Sequence, residues 1–492
     1  MITVLLIVFP LVAAGLMLLL RGDVAKKVAL GLSALELGLF AYTFSIFGQK
    51  NFSGLFSFNT SWIEAFNARF AVAMDGISLL MVLLTTLLVP LIIYSSFKGN
   101  YSNKFYALVF LMQSALIGVF TAMDGLLFYV FWELALIPIY FICLVWGGAD
   151  RGRVTFKFFV YTLTGSLIML ASLLYLYYCT SGNHSFAIND LYQAGHELSR
   201  QTQGWIFWGM FVAFAIKMPV FPFHTWQPDT YTTAPTPGTM LLSGIMLKMG
   251  TYGLIRWLMP LVPLGWDSWS ETAMILSVIG IVYASCIALV QTDFKRLLAY
   301  SSIAHVGLIS AGILAFNAQG IQGGLMQMLA HGVNVVGLFY IAEIIYNRMH
   351  TRQLNELGGI RGVAPQFALL FLIILLGSVA LPLTNGFVGE FLLFTGIYQY
   401  TVVKSTIWMV VFAATTIILG AVYMLRSYQS MMLGEANTLT KGFTDLDMQE
   451  KVILSILVVL VVVMGVYPQP LLDIAAPAVK EIVETFKSGL IN

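Results

Sequence analysis

The sequence predicts an all-α integral membrane protein of fourteen transmembrane helices, built around two inverted five-helix repeats with one discontinuous helix each. Three observations carry this. The 492 residues are 59% hydrophobic and only 10% charged, with a mean hydropathy of +0.87, whereas a soluble globular chain is roughly 25% charged. Fourteen windows stay apolar over about 20 residues, the length that crosses the hydrocarbon core. Two of those windows, five apart in order, are broken by proline or glycine beside an ionisable residue, the pattern of a transporter made of inverted repeats.

The windows run approximately over residues 2–20, 27–47, 74–97, 105–122, 125–146, 155–179, 205–223, 236–258, 271–291, 297–315, 321–346, 363–401, 406–428 and 451–468. The first is a span and no secretory signal, because Arg21-Gly22-Asp23 and a second apolar run follow it without a small-residue cleavage pattern. The seventh places Pro219 and Pro222 just after Lys217. The twelfth is too long for one straight rod, and Leu381-Pro382-Leu383-Thr384-Asn385-Gly386 divides it into two half-helices at membrane depth. The domains expected are an N-terminal three-helix segment (1–104), a first repeat of spans four to eight (105–258), a second of spans nine to thirteen (271–428), and a loop, last span and tail (429–492). In the tail Val479, Ile482, Val483 and Phe486 face away from Lys480, Glu481 and Glu484. That pattern suggests a short helix lying in the membrane interface, with a protein-docking tail as the alternative.

Basic residues orient the chain. With the N-terminus outside, the cytoplasmic loops hold Arg21, Lys26, Lys27, Lys98, Lys104, Arg151, Arg153, Lys157, Lys295, Arg296, Arg348, Arg352, Arg361, Arg426, Lys441 and Lys451, sixteen in all. The other side holds seven: Lys50, Arg69, Arg200, Arg256, Lys404, Lys480 and Lys487. Both termini are therefore expected on the periplasmic side of a bacterial inner membrane. A net charge of +2 gives no reason to expect nucleic acid. Cys143, Cys179 and Cys286 lie far apart in apolar runs and offer neither a disulfide framework nor a zinc or iron–sulfur ligand set. The glycines of GGIRGVAP (358–365) follow no strand and lack dinucleotide spacing.

Six ionisable residues sit deep within the apolar windows: Glu133, Lys217, Lys248, His305, His331 and Glu390. A charge at mid-bilayer costs about 2.5–3.5 kcal/mol, so the two glutamates and two lysines together cost on the order of 12 kcal/mol. That is comparable with the whole stability of an ordinary domain, roughly 5–15 kcal/mol. Carriage of mobile charge is the usual reason for tolerating it, and histidine titrates near neutral pH, so proton movement is expected. Glu133, in FWELALIPIY, has Pro138 nearby to free a carbonyl; a structural ion pair at a bent helix is its alternative. Lys217 precedes the seventh-span break and has Glu133 as its expected partner, a pair whose separation would switch a proton. For Lys248, in a glycine-containing window, the alternative is a snorkelling lysine. His305 and His331 have hydroxyl or amide neighbours and read as a relay or as hydrogen-bonded core residues. Glu390 follows the twelfth-span break, where a carboxylate facing freed amides is the alternative. Glu36 and Glu343 sit by no break, and interhelical hydrogen bonding is expected of them. Asp124 reads as a turn and Asp75 as a span start. His224, Asp229 and the prolines up to Pro237 line an access path or form a plain cap.

The stretches FWELALIPIY, KMPVFPFHTWQPDTYTTAPTPGTMLLSGIMLKMGTYGL, DFKRLLAYSSIAHVG, LAHGVNVVGLF and LPLTNGFVGEFLLF, spread over spans four to thirteen, resemble the antiporter-like subunits of respiratory complex I, which are related to Mrp-type cation/proton antiporters. The resemblance implies that Glu133, Lys217, Lys248, His305, His331 and Glu390 carry the proton path. Glu133 and Lys217 would be the switching pair, Lys248 the central carrier, the histidines the relay and Glu390 the terminal donor. A glutamate in place of lysine at the twelfth-span position, without a long lateral helix, resembles one subunit type within that family. It further implies an enzyme, a proton-translocating NADH:quinone oxidoreductase, whose NADH, FMN, iron–sulfur clusters and quinone reside in partner subunits, leaving no redox centre or cofactor in this chain. Partners would be other membrane subunits, including neighbouring antiporter-like ones, in the lipid bilayer. The rivals are a sodium/proton antiporter or membrane-bound hydrogenase subunit and, from another class, a b-type cytochrome with His305 and His331 as haem ligands.

Overall fold

In the computed structural model, which describes residues 1–49 and 54–491, the chain is mostly helical. Eleven helices among the described residues are long and apolar enough to cross a membrane. Helices α1 (Ile2–Leu19) and α2 (Gly22–Ile46) lead to an antiparallel hairpin of β1 (Ser57–Ile63) and β2 (Ala68–Ala73), with Ser57 opposite Ala73. Asn67 closes its turn in the left-handed region at φ 47°, a conformation asparagine tolerates better than most residues. The span pattern gives no hint of this hairpin, whose strands are far shorter than a membrane window. Lys50, counted among the outer charges, lies outside the described residues.

Next come α3 (Gly76–Ser95), α4 (Asn103–Thr121), α5 (Gly125–Leu134) and α6 (Leu136–Trp146). Asp75 caps α3 through Ser78 N at 2.9 Å. Asp124 caps α5 through Leu126 N and Leu127 N, and its second oxygen accepts from Arg69 N of β2 at 3.0 Å. One carboxylate thus fastens the hairpin to a helix start. The fifth window is two helices meeting at Ala135, just ahead of Pro138, whose ring removes a donor.

The chain continues through α7 (Arg151–Cys179), α8 (Ile188–His196), α9 (Arg200–Lys217), α10 (Gln227–Thr233) and α11 (Thr236–Leu241). The eighth window is no uniform α-helix. A π turn over Leu242–Met246, α12 (Lys248–Gly253), a second π turn over Leu254–Leu258 and α13 (Met259–Leu261) follow one another. The rest comprises α14 (Pro263–Leu289), α15 (Phe294–Leu314), α16 (Ala318–Met349), α17 (Ile360–Val363), α18 (Pro365–Ser378), α19 (Asn385–Val403), α20 (Trp408–Met432), α21 (Met448–Val466) and α22 (Gln469–Ile491). Both expected interruptions are present, after Lys217 and between α18 and α19. In the second, Ala380 and Leu383 adopt φ of 56° and 74°, strained positions for side-chain-bearing residues.

Two compact units divide the chain. The first comprises Met1–Met218, Ile245–Thr272 and Asp473–Asn492, the second Pro219–Gly244 and Ala273–Leu472. In the first unit the apolar face of α22 (Val479, Ile482 and Phe486) is buried, with the Phe486 ring 6.4 Å from Trp266. The tail is thus a 23-residue helix whose apolar face packs on the protein itself, unlike the short interfacial helix the pattern suggests.

Candidate functional site

In the first unit, Lys217 is the last residue of α9, where the prolines that follow end the helix and its carbonyl end favours a cation. Its Nζ lies 5.2 Å from the centroid of the Trp132 ring, within cation–π range. Trp132 adjoins Glu133, which is half-buried near the end of α5. Glu133 is the charged group whose field reaches Lys217, yet the two form no direct ion pair among the described residues. One Glu133 oxygen is buried without a hydrogen-bond partner. The expected pair is therefore present as neighbours held apart, with an aromatic ring against the lysine.

Lys248 opens α12 between the two π turns, irregularities that collect at functional sites. Gly250 allows α12 to lie against α9, since a Cβ there would stand 2.7 Å from the Phe214 carbonyl oxygen. Further along, Arg256 pairs with Asp75, the cap of α3.

The second unit gathers three of the six residues into one cluster. His305 of α15 places Nδ1 3.3 Å from Glu390 Oε1 of α19. Gln327 of α16 donates to the same oxygen at 3.5 Å, and the His331 ring centroid is 6.0 Å from that of His305. Lys217, Lys248, His305, His331 and Glu390 all have 6% exposure or less. Small residues allow this approach: a Cβ on Gly389 would lie 2.8 Å from Gln327 N, and one on Gly323 2.7 Å from Leu393 N. Buried oxygens of Ser302, Asn334 and Asn385 have no protein partner and are acceptors suited to water.

The sequence reading passed over Gln327 and Trp132. Gln327, His331 and Asn334 follow the i, i+4, i+7 spacing of one helical face, a signal that could have found Gln327. Nothing in sequence marks Trp132 apart from its place beside Glu133. The segment from His224 to Pro237 is tied down: Asp229 meets Arg296 at 3.3 Å, and Lys295 donates to the Ala234 carbonyl at 2.7 Å. His224 stacks on Phe221 and meets Tyr283 edge to face. These contacts suit a cap. Glu343 has its expected partner, accepting from the Thr236 hydroxyl. Glu36 departs from expectation, for both its oxygens are buried without a hydrogen bond among the described residues.

The family model described as NADH:quinone oxidoreductase/Mrp antiporter, TM, matches residues 122–420. The chain is 41% identical over 429 residues to the NADH-quinone oxidoreductase subunit M of Rickettsia conorii, covering 87% of this chain and 85% of the relative. Among solved structures it resembles a chain of respiratory complex I from Thermus thermophilus with bound NADH, at TM-score 0.90 and 30% identity, covering 99% and 100% of the two chains. A chain of the Mrp complex from Dietzia sp. superposes at TM-score 0.83 with 19% identity, over 99% of both chains, a likeness of fold alone.

Proposed function

The chain belongs to the NADH:quinone oxidoreductase/Mrp antiporter membrane family as a proton-translocating membrane subunit of NADH-quinone oxidoreductase, and from that premise we propose that Glu133, Lys217, Lys248, His305, His331 and Glu390 move the protons. The observation that carries the assignment is the buried contact of His305 with Glu390, flanked by His331. A histidine 3.3 Å from a carboxylate is close enough to pass it a proton once the ring aligns, and a second imidazole beside them gives that proton a next station.

In the first unit, the gap between Glu133 and Lys217 suits a switch. When the carboxylate approaches, the ammonium form of the lysine is stabilised; when it withdraws, the lysine sheds its proton toward Lys248. Trp132 lies against the lysine Nζ and holds it in place beside Glu133. Lys248 acts as the central carrier, since the π turns around it free backbone carbonyls for water or an ammonium. His305 and His331 relay the proton and Glu390 delivers it.

The same reading takes the chain as fourteen spans, with residues 105–258 and 271–428 as inverted repeats, 1–104 as a three-helix segment, and both termini facing the periplasm of a bacterial inner membrane. The matched breaks after Lys217 and before Asn385 support it. Cofactors (NADH, FMN, iron–sulfur clusters and quinone) belong to partner subunits, and the membrane partners include neighbouring antiporter-like chains. The test is proton yield per NADH in vesicles holding the assembled complex. Glu133→Gln and Lys217→Ala are expected to depress it strongly while the complex still assembles; an unaltered yield in both removes the pair from the mechanism.

A further inference from the structure

The N-terminal helices hold an ionisable residue that the six-residue row does not use. Helix α2 packs on α1, α3 and α4, and its buried stripe Ala29, Ser33, Glu36, Phe40 and Thr43 faces them. Lys26 of α2 donates to the Phe97 carbonyl just past α3 at 2.9 Å, and Ser96 Oγ lies 3.1 Å from Tyr106 Oη of α4. The start of α2, the end of α3 and the start of α4 therefore share one level. With a rise of about 1.5 Å per residue, Gln113 lies about 10 Å along α4 from Tyr106, while Glu36 lies about 15 Å from Lys26 and Thr86 about 15 Å from Ser96. Those depths lie near the middle of a hydrocarbon core about 30 Å thick.

All three, with Thr85, are fully buried. The hydroxyls of Thr85 and Thr86 donate to the Met81 and Val82 carbonyls of their own helix, which leaves their oxygens as acceptors. Both Glu36 oxygens and both polar atoms of Gln113 have no hydrogen-bond partner. Among the described residues no ion pair reaches the carboxylate, and Lys26 at the membrane face is engaged by the Phe97 carbonyl and by Asp23 at 3.7 Å. Burial without a counter-charge favours the neutral acid. A carboxamide serves both protonation states of a neighbouring carboxyl: its oxygen accepts from the acid and its NH₂ donates to the carboxylate. A hydrogen bond serving only to join helices would be satisfied here, where α2 packs on three other helices; instead the bonding capacity of both groups is unfilled among the described residues.

We propose that Glu36 with Gln113 is a second proton-binding site, at mid-membrane depth in the N-terminal helices, loaded and unloaded through water and separate from the row that begins at Glu133. It rests on the proton-translocating reading of the chain, though not on the six-residue path.

The test uses the whole complex in vesicles. Wild type should show an infrared carbonyl band of a protonated carboxyl that is lost in Glu36→Gln and displaced in Gln113→Leu, and a hydrophobic carbodiimide should form an adduct at Glu36. Proton yield per NADH should fall in Glu36→Gln with assembly intact. A yield unaltered in that variant overturns the site, whether or not the band is lost, and so does a wild-type complex without an adduct at Glu36. The last measurement needs no variant to fold. Loss of yield in Glu36→Gln alongside an unaltered yield in Glu133→Gln would retain this site and retire the six-residue path; the converse would do the opposite.

Discussion

His305 and Glu390 face each other from α15 and α19 at 3.3 Å with almost no access to solvent. Removing one leaves the other as a buried group without its partner, and the relay loses a station. Glu390→Gln or His305→Ala should lower proton flux per NADH on the order of a hundredfold, the low side of what a positioned acid or base contributes. Gln327→Leu removes only the shared donor to Glu390. It should therefore slow the flux less than either, in the same vesicle assay. Spacing in the sequence marked His305, His331 and Glu390 as costly residues in apolar windows. It could not show that two of them touch, because 85 residues separate them and helical periodicity relates only near neighbours.

Among the elements, the contact of α16 with α19 depends on glycines that let two backbones meet. Gly389→Val would drive a branched side chain into Gln327, and overpacking of this kind costs about 1–3 kcal/mol. The expected result is a lower melting temperature of the detergent-solubilised complex, with proton flux falling because Glu390 is next in sequence. Helix α21 is held differently. Arg348 of α16 makes a two-pronged contact with Glu450, at 2.6 and 3.1 Å, and the carboxylate side chain is 4% exposed. Arg348→Ala takes the cation away from that buried carboxylate and should destabilise by about 3–5 kcal/mol. Adding Glu450→Gln should restore much of the loss, read as the amount of complex surviving mild heating.

For the whole molecule, orientation is the open expectation, and it can be measured. In a background lacking the exposed Cys286, Glu484→Cys on α22 should react with an impermeant maleimide from outside right-side-out vesicles. Lys441→Cys should react only after the vesicles are inverted; both sites are solvent-exposed. Labelling with the sides exchanged would overturn the positive-inside assignment.

The sequence by itself determined the membrane class, the windows, the two interruptions and the six ionisable positions within those windows. Each follows from the cost of placing a particular residue in hydrocarbon, and that cost is a property of short stretches. The tertiary structure alone decided the hairpin at Ser57–Ala73, the π turns around Lys248, the Trp132 ring against Lys217, the meeting of His305 with Glu390 and the burial of α22. Those depend on which helices lie side by side, and packing between segments distant in sequence leaves no periodic trace along the chain.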